Sequence, residues 1–335
     1  MNARQINALA SQGTTSRRAL RGRVEETHIS WVILTGRFAF KIKKPVKLSF
    51  LNFSTLALRR KFCRKEVALN RRFSSIYLGV EPVRYSSSGW SIGKGPGRIY
   101  DYAVKMRKLD PSRRMDLIAE EGKLRRGDVL ALAKKIARFH KAARIIKAGV
   151  DLNFVRSAFN DIKEVEPFIS REFGERYSAI IRKGISWSNG FLDRHGARMI
   201  NRGAEGFKRD VHGDLHMGNI FLYRRPVIFD CIEFNDAYRQ MDIIDEVAFL
   251  CMDLEAHGYS GNARAFLKAY IRIVPSIEVS EDGDIFTYFK CYRANIRAKV
   301  HALAAVQAHD KTGKSRHIKL AKKYLALMGE YISRH

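Results

Sequence analysis

Acidic side chains are scarce in this chain. Against 62 Lys and Arg stand only 34 Asp and Glu, a formal net charge of +28 with a pI near 10.2. That excess predicts attraction to polyanions and is a statement about association rather than fold. No RNP-type run, zinc-finger spacing or leucine-zipper heptad accompanies it, so no familiar nucleic-acid module explains the charge. There is no apolar run of 18 residues, which excludes a membrane-spanning helix, and the N-terminus has no signal-peptide apolar region. Cysteine is sparse too: Cys63, Cys231, Cys251 and Cys291 are far apart and form no C-x-x-C pair. That spacing suggests neither a zinc site nor a disulfide scaffold, and reduced thiols in a cytoplasm are the expectation. Cys231 reads as a small buried side chain. A complete P-loop is missing as well. Thr312-Gly-Lys-Ser315 has its ending, but Ala308 stands where the pattern requires Gly, and the stretch reads as a polar turn between two helices.

What is present is a globular composition, 46% hydrophobic over 335 residues. That is enough chain for one large domain or two lobes. Residues 1–23 carry five Arg and no acid, and read as a basic flexible arm, a composition shared with organelle transit peptides. Residues 24–106 are rich in strand signals. Trp31-Val-Ile-Leu34 is an apolar run and Thr35-Gly-Arg37 a hairpin turn. Phe38, Phe40 and Ile42 then alternate with Ala39, Lys41 and Lys43, the pattern of a half-buried strand ending before Pro45. A helix is expected over about 54–73, capped by Asn52 or Ser54. Strand-like pieces follow at 80–92 and 98–106, parted by a Gly/Pro/Ser loop from Ser86 to Gly97. From 107 to 335 the chain reads as mainly helical, interrupted by a strand–turn–strand from Ile220 to Phe229. No internal repeat is found. The whole reads as α+β with two lobes, the boundary near 106–110.

Two constellations carry chemistry. Between Arg37 and Arg72 there are twelve Lys and Arg and a single acid, Glu66. On the expected helix Glu66 shares a face with Phe62, Leu69 and Phe73, where a carboxylate is costly to desolvate unless paired. Lys41 on the preceding strand is the natural partner. It shares its strand face with the small Ala39, which leaves room for a flat ligand. Lys43 shares that face, so the choice between the two lysines stays open. A lysine steadied by a helix carboxylate is suited to reach phosphate oxygens.

The second constellation is Val211-His-Gly-Asp-Leu-His-Met-Gly-Asn219 followed by Ile228-Phe-Asp230. Phosphoryl transfer needs one carboxylate to orient the attacking hydroxyl, and oxygen ligands to hold Mg²⁺ on the phosphates. Asp214 suits the first task. Asn219 and Asp230, brought towards each other by the hairpin, suit the second. His212 reads as a loop anchor, and His216 as either a phosphate contact or a loop cap. A rival use of His212, His216, Asp214 and Asp230 is a transition-metal site in a hydrolase. Gly213 and Gly218 argue for a loop instead of the helix face such a histidine pair needs. Adenylyl transfer would use the same inventory.

The run from His212 to Asn219, the hairpin and Asp230 together resemble the catalytic signature of the aminoglycoside phosphotransferase and choline kinase superfamily, the small-molecule branch of the protein-kinase-like fold. Ile136-Ala-Arg-Phe-His140 is similar to the helix that family places before its catalytic loop. Arg239-Gln-Met-Asp242 with Asp245 is similar to its post-metal segment, where an aspartate steadies the active-site loop. Thr27–Trp31, Leu34–Gly36, Lys41–Pro45 and Phe50–Ser54 resemble an uncharacterised bacterial subgroup in which a P-loop ATPase domain often follows. The resemblance covers roughly residues 24–310. It implies a small β-rich N-lobe and a larger helical C-lobe, with ATP and Mg²⁺ as cofactors and Met106 to Leu109 at a hinge where backbone groups meet adenine. Three departures stand out: Thr27-His-Ile-Ser30 replaces a glycine-rich phosphate loop, Cys231-Ile-Glu233 follows Asp230, and no P-loop is found. Glu233 reads as a further metal or substrate contact, or as part of a helix start.

The expected activity is transfer of the ATP γ-phosphoryl to an alcohol group of a small molecule. Residues 230–257 hold eight acids, a local inversion of the charge that would attract a cationic acceptor such as an amino sugar or amino alcohol. The alternative expectation is a catalytically weak kinase-like protein that binds nucleic acid or another polyanion through its basic surface.

Overall fold

The computed structural model describes residues 1–16, 18–48, 51–308 and 310–333. Phe50, which opens one of the resembling stretches, lies outside the described residues. The chain forms two compact units. One comprises Met1–Leu117 with Asn219–Tyr238, the other Ile118–Gly218 with Arg239–His335. The boundary expected near 106–110 therefore falls at Leu117, and the segment carrying Asn219 and Asp230 joins the first unit.

The first unit is built on an eight-stranded sheet: β1 (Thr14–Thr15), β2 (Arg18–Ala19), β3 (Arg23–Glu26), β4 (Ser30–Leu34), β5 (Phe38–Lys43), β6 (Tyr77–Ser86), β7 (Gly89–Ile92) and β8 (Arg98–Arg107). Their order is β2-β1-β7-β6-β8-β5-β4-β3, and β1 runs parallel to β7. The expected hairpin at Thr35–Arg37 joins β4 to β5, its turn closed by Phe38 N–H donating to Thr35 Oγ1 at 3.0 Å. The loop expected between Ser86 and Gly97 holds β7, whose Ile92 is buried in the sheet core.

The described residues among 1–23 are not a flexible arm. They form α1 (Ala3–Gln12), β1 and β2. Asn2 caps the helix by accepting Gln5 N–H at 2.9 Å, while the Gln5 side chain accepts Asn2 N–H at 3.0 Å, the reciprocal arrangement of a capping box. Ile6, Leu9 and Ala10 recur at helical spacing and are buried with Trp31, Ile33, Phe40, Ile42, Val83 and Ile92. The helix packs against both β3 and β7, strands far apart in the sheet order, so the sheet curls around it. The physical reason is the apolar stripe, which gains more from burial than the basic residues beside it lose, since those stay exposed.

On the other sheet face lies α2 (Leu56–Asn70), capped by Thr55, whose hydroxyl accepts Leu58 N–H at 3.2 Å. Neither Asn52 nor Ser54 is the cap; Asn52 instead accepts Ser54 N–H within the loop. The buried face of α2 is Arg59, Cys63, Glu66, Val67 and Asn70, rotated from the one expected: Phe62 and Leu69 are half-buried, and Phe73 follows the helix.

The second unit is mainly helical. Its helices are α3 (Met115–Glu120, which begins before the division), α4 (Arg126–Ala142), α5 (Leu152–Asn160), α6 (Glu166–Phe173), α7 (Glu175–Ala204), α8 (Ile243–Ala256), α9 (Ser260–Ile271), α10 (Ser280–Gln307) and α11 (Lys311–Ser333). Every residue of α8 from Ile243 to Leu254 is buried, the mark of a central helix. It packs against α9 and α10, and α10 pairs along α11. Thr312–Ser315 is no turn between helices: it lies in the first turn of α11, where Asp310 accepts Gly313 N–H at 2.6 Å. Among the described residues no helix is long and apolar enough to cross a membrane. The four cysteines are free and buried.

Candidate active site

In the first unit, β5 alternates between two cores. Phe40 and Ile42 enter the one around α1, while Ala39 enters the one beneath α2, with Lys41 and Lys43 on the same side. Both faces are therefore covered, and Lys43 is fully buried. Glu66 receives both lysines. Lys41 Nζ lies 3.1 Å from Glu66 and 2.6 Å from Asp230, and Lys43 Nζ lies 2.6 Å from Glu66 and also pairs with Glu233. Burial alone would lower the Lys41 pKa, but Asp230 and then Glu66 hold it well above its ordinary value, so the ammonium stays charged. Burial likewise opposes the Glu66 charge, and Lys41 and Lys43 hold its pKa below the usual carboxylate range. Lys41 keeps 13% side-chain exposure where Lys43 has none. Of the two, only Lys41 retains access to a ligand.

Asp230 stands in the left-handed region at φ 66°, a conformation uncommon for a non-glycine residue. Two contacts hold it there. Its N–H donates to the Tyr77 hydroxyl at 3.0 Å, and the Cys231 N–H donates to Asn70 Oδ1 at 2.9 Å. Glu233 is neither a free ligand nor a helix start; it closes the buried pair with Lys43. The expected hairpin pairs Ile220 with Ile228, and Phe229 N–H donates to Asn219 O at 3.2 Å. Asn219 and Asp230 thus meet at the open end of one hairpin. Two hard oxygen side chains there would suit a hard divalent cation such as Mg²⁺.

Met106, one residue before the end of β8, lies inside the sheet ladder, opposite Ala39 and Tyr77. Arg107 and Lys108 N–H donate to Ile76 O and Arg37 O. Leu109 follows where the ladder runs out, its side chain packed on the core that holds Ala39. The β3–β4 connection is a tight turn, with Thr27 N–H donating to Ser30 O at 2.8 Å and Ser30 N–H to Thr27 Oγ1 at 3.0 Å. His28 is exposed at its tip.

In the second unit the loop Val211–Gly218 is pinned at several points. Glu246 Oε1 accepts the N–H groups of His212 and Gly213, both at 2.7 Å, while its Oε2 lies 2.8 Å from His140 Nε2. His140 in turn meets Tyr270 at 2.7 Å. Asp253 Oδ2 accepts Met217 N–H at 2.8 Å. Arg293 pairs with Asp245 at 2.7 Å and donates to Gly213 O at 3.4 Å. The loop-steadying role expected of Asp245 is thus exercised through Arg293, while Glu246 holds the backbone directly. His212 is fully buried, and its Nδ1 accepts Asp214 N–H at 3.3 Å. His216 Nδ1 caps Gly218 N–H at 3.1 Å, and its Nε2 lies 3.4 Å from Asp214 Oδ2. The Asp214 side chain is 38% exposed. Its partial burial opposes ionisation, but His216, then Arg297 and His212, hold its pKa below the usual range. An ionised, reachable carboxylate on a fixed loop can orient a hydroxyl and accept its proton.

Among the described residues no group of three or more His, Cys, Asp or Glu side chains could hold a metal ion. His212 is committed to its own loop, so the hydrolase reading loses its ligand set. The anchors Lys43–Glu233, Asn70, Tyr77 and Glu246 carry no local sequence signal beyond being polar residues in apolar surroundings. His140 is the exception, lying in the stretch that resembles the family's preceding helix.

No protein-family model matches the chain. Uncharacterised proteins of Mycobacterium tuberculosis and Mycobacterium bovis are 30% identical over 310 residues, which cover 90% of this chain and 59% of each relative. The chain thus spans about 59% of the length of these curated relatives. The aminoglycoside phosphotransferase APH(2″)-IIIa, solved with GDP and kanamycin, superposes with a TM-score of 0.50 at 13% identity, covering 97% of this chain and 99% of that one. A candidate aminoglycoside phosphotransferase from Ralstonia eutropha gives 0.50 at 11% identity, covering 99% and 98%. At these identities the likeness shows the fold alone: the chain has a protein-kinase-like fold.

Proposed function

We propose that the protein is an ATP- and Mg²⁺-dependent phosphotransferase acting on an alcohol group of a small molecule. The observation that carries this reading is Lys41, a charged and partly exposed ammonium held between Asp230 at 2.6 Å and Glu66 at 3.1 Å. In this reading Lys41 binds nucleotide phosphate oxygens, and Glu66 keeps it aimed. Asn219 and Asp230 hold Mg²⁺, which supplies charge neutralisation on the phosphates when bound. Asp214 orients the acceptor hydroxyl and takes its proton as the acceptor oxygen bonds to the γ-phosphorus and the bond to the departing nucleoside diphosphate breaks. Leu109, just past the ladder, offers backbone to the base, and His216 holds the loop in shape.

The test is an ATP- and GTP-consumption screen over small alcohols, with Asp214→Asn as the blank. The expected outcome is at least a hundredfold loss of transfer, with Mg-nucleotide still raising the melting temperature. Full transfer by Asp214→Asn would overturn the assignment. A second reading, polyanion binding without efficient catalysis, is favoured by the first unit's charge: 27 Lys and Arg against 10 Asp and Glu. Stabilisation by RNA that fades steeply with salt, together with no response to nucleotide, would select it.

A further inference from the structure

Tyr85, Trp90 and Tyr100 come together from three neighbouring strands of the first unit's sheet, β6, β7 and β8. Tyr85 and Trp90 stand opposite each other in the β6–β7 ladder, with ring centroids 4.8 Å apart. Tyr100 is the extra residue where the β6–β8 register shifts between Val83–Asp101 and Arg84–Ile99. Such a bulge takes a side chain out of the regular alternation. The Tyr100 ring lies edge-on to both others, 5.2 Å from Trp90 and 6.1 Å from Tyr85. A cross-strand aromatic pair stabilises a hairpin, yet the pairing does not bury these rings. Tyr85 is 46% exposed, and Trp90 and Tyr100 are half-buried. Trp90 leans on the core around α1, which supports the cluster on one side. Lys41 belongs to the opposite face of the sheet, beneath α2.

The surroundings of the cluster are basic. Residues 82–100 contain Arg84, Lys94 and Arg98 and no acid. Residues 1–24, which supply the adjoining strands β1 and β2, contain five Arg and no acid. Arg98 lies over the Tyr100 ring at 5.5 Å and stands opposite Tyr85 in the ladder. Lys94 is exposed in the loop Gly93–Gly97. That loop is held against the aromatic strand. Arg84 Nη1 donates to Gly97 O at 2.8 Å, and Gly97, at φ 99°, approaches so closely that a Cβ there would lie 2.4 Å from the Tyr85 carbonyl oxygen. The acids that bound the segment are matched. Asp101 is fully buried against Arg59 at 2.9 Å, and Glu81 has Lys105 at 3.7 Å.

Exposed rings offer unpaired bases a surface to stack on, and flanking Lys and Arg meet the phosphates between those bases. A duplex keeps its base faces covered, so the rings add nothing to its binding. We propose that this end of the sheet binds single-stranded nucleic acid, with bases stacked on Tyr85, Trp90 and Tyr100 and phosphates met by Lys94 and Arg98. The surface is separate from Lys41 and Asp230, and it does not rest on the phosphotransferase reading.

The experiment is titration of the full chain with labelled oligouridylate and oligothymidylate about a dozen residues long, within the site sizes of such surfaces. A duplex of the same length, heparin, and vesicles of phosphatidylserine in phosphatidylcholine are the comparisons. One or both single strands should bind at least tenfold tighter than the duplex, and the two strands together separate RNA from DNA. Tyr85→Leu and Trp90→Leu each keep an apolar cross-strand pair. Each should weaken single-strand binding at least fivefold, the low end for loss of a base stack, and change heparin binding less than twofold. Tyr85→Phe keeps the ring and should bind as the unsubstituted chain does. Lys94→Gln should make the logarithmic fall of affinity with salt shallower by about 0.7. Melting temperatures identify a poorly folded variant, in which case the other Leu variant decides. No single-strand binding at low salt, equal affinity for duplex or heparin, unchanged binding in the Leu variants, or preference for the vesicles would each overturn the proposal. The rise in melting temperature with Mg-nucleotide should be the same in Tyr85→Leu as in the unsubstituted chain, and its absence from both would count against the phosphotransferase reading alone.

Discussion

Lys41 and Lys43 stand two residues apart on one strand face and share Glu66, yet their surroundings differ. Lys43 has no exposure and closes two buried pairs, whereas Lys41 is bound to an Asp230 that is 41% exposed. Removing one partner of a buried pair leaves the other charge uncompensated. Lys43→Met should therefore cost about 3–5 kcal/mol in urea denaturation. Lys41→Met should cost less, because Glu66 keeps Lys43 and Asp230 keeps water, but it should abolish the nucleotide-induced rise in melting temperature. Equal stability losses in the two variants would contradict this division of labour. The Lys41–Glu66 contact was legible because one acid stood alone among twelve basic residues at helical spacing. Lys43–Glu233 was not, since its partners lie 190 residues apart and periodicity carries no information about which distant carboxylate fills a buried space.

At the scale of elements, α1 shows how a short helix escapes a reading by composition. Its basic surroundings suggested an arm, yet Ile6, Leu9 and Ala10 form a buried stripe inside the curled sheet. Deleting a fully buried leucine side chain leaves a cavity and typically costs about 2–5 kcal/mol. Leu9→Ala should lower the denaturation midpoint by that amount with an unchanged slope, while a loss under about 0.5 kcal/mol, the range of surface substitutions, would mean that α1 is not part of this core. The β4–β5 hairpin and α2 were legible from turn residues and apolar spacing, and α4 from the resemblance of Ile136–His140 to a family helix. β7 was legible only as the end of the strand-like piece at 80–92, which the structure divides into β6 and β7. The cap of α2 moved to Thr55 because several adjacent residues could each supply a capping oxygen, and the choice depends on where the helix face meets the sheet.

At the scale of the molecule, the excess of base over acid makes each buried carboxylate a point where pH acts on stability. Asp282 joins α10 to α7 through Arg198 and Arg202, each at 2.9 Å. Burial would raise its pKa, but the Arg198 hydrogen bond, the Glu278 N–H and Arg202 lower it from 3.8 to about 2. A carboxylate depressed in the folded state stabilises above its unfolded pKa, and loses that contribution as pH falls through the folded one. The gain, about 2 kcal/mol, should be complete above pH 4 or so and lost towards pH 2. Asp282→Asn should thus flatten the acid limb of the stability curve in that window; an unchanged limb would show that other carboxylates control it. The two-lobed plan was legible from the strand-rich and helix-rich halves. The return of Asn219–Tyr238 to the first unit was not, because it depends on which surface the hairpin packs against.

That return has a consequence for biosynthesis. When Leu117 leaves the ribosome, the first unit still lacks Asp230 and Glu233, and Lys43 has one of its two carboxylates missing. The missing residues emerge on the order of ten seconds later at ordinary elongation rates. During that interval the loop Val211–Gly218 is made before Asn219 and Asp230. The β-rich unit can only be completed after about half of the helical unit, up to the end of α7 and the loop Val211–Gly218, has been made, so the first unit is synthesised in two pieces parted by Ile118–Gly218.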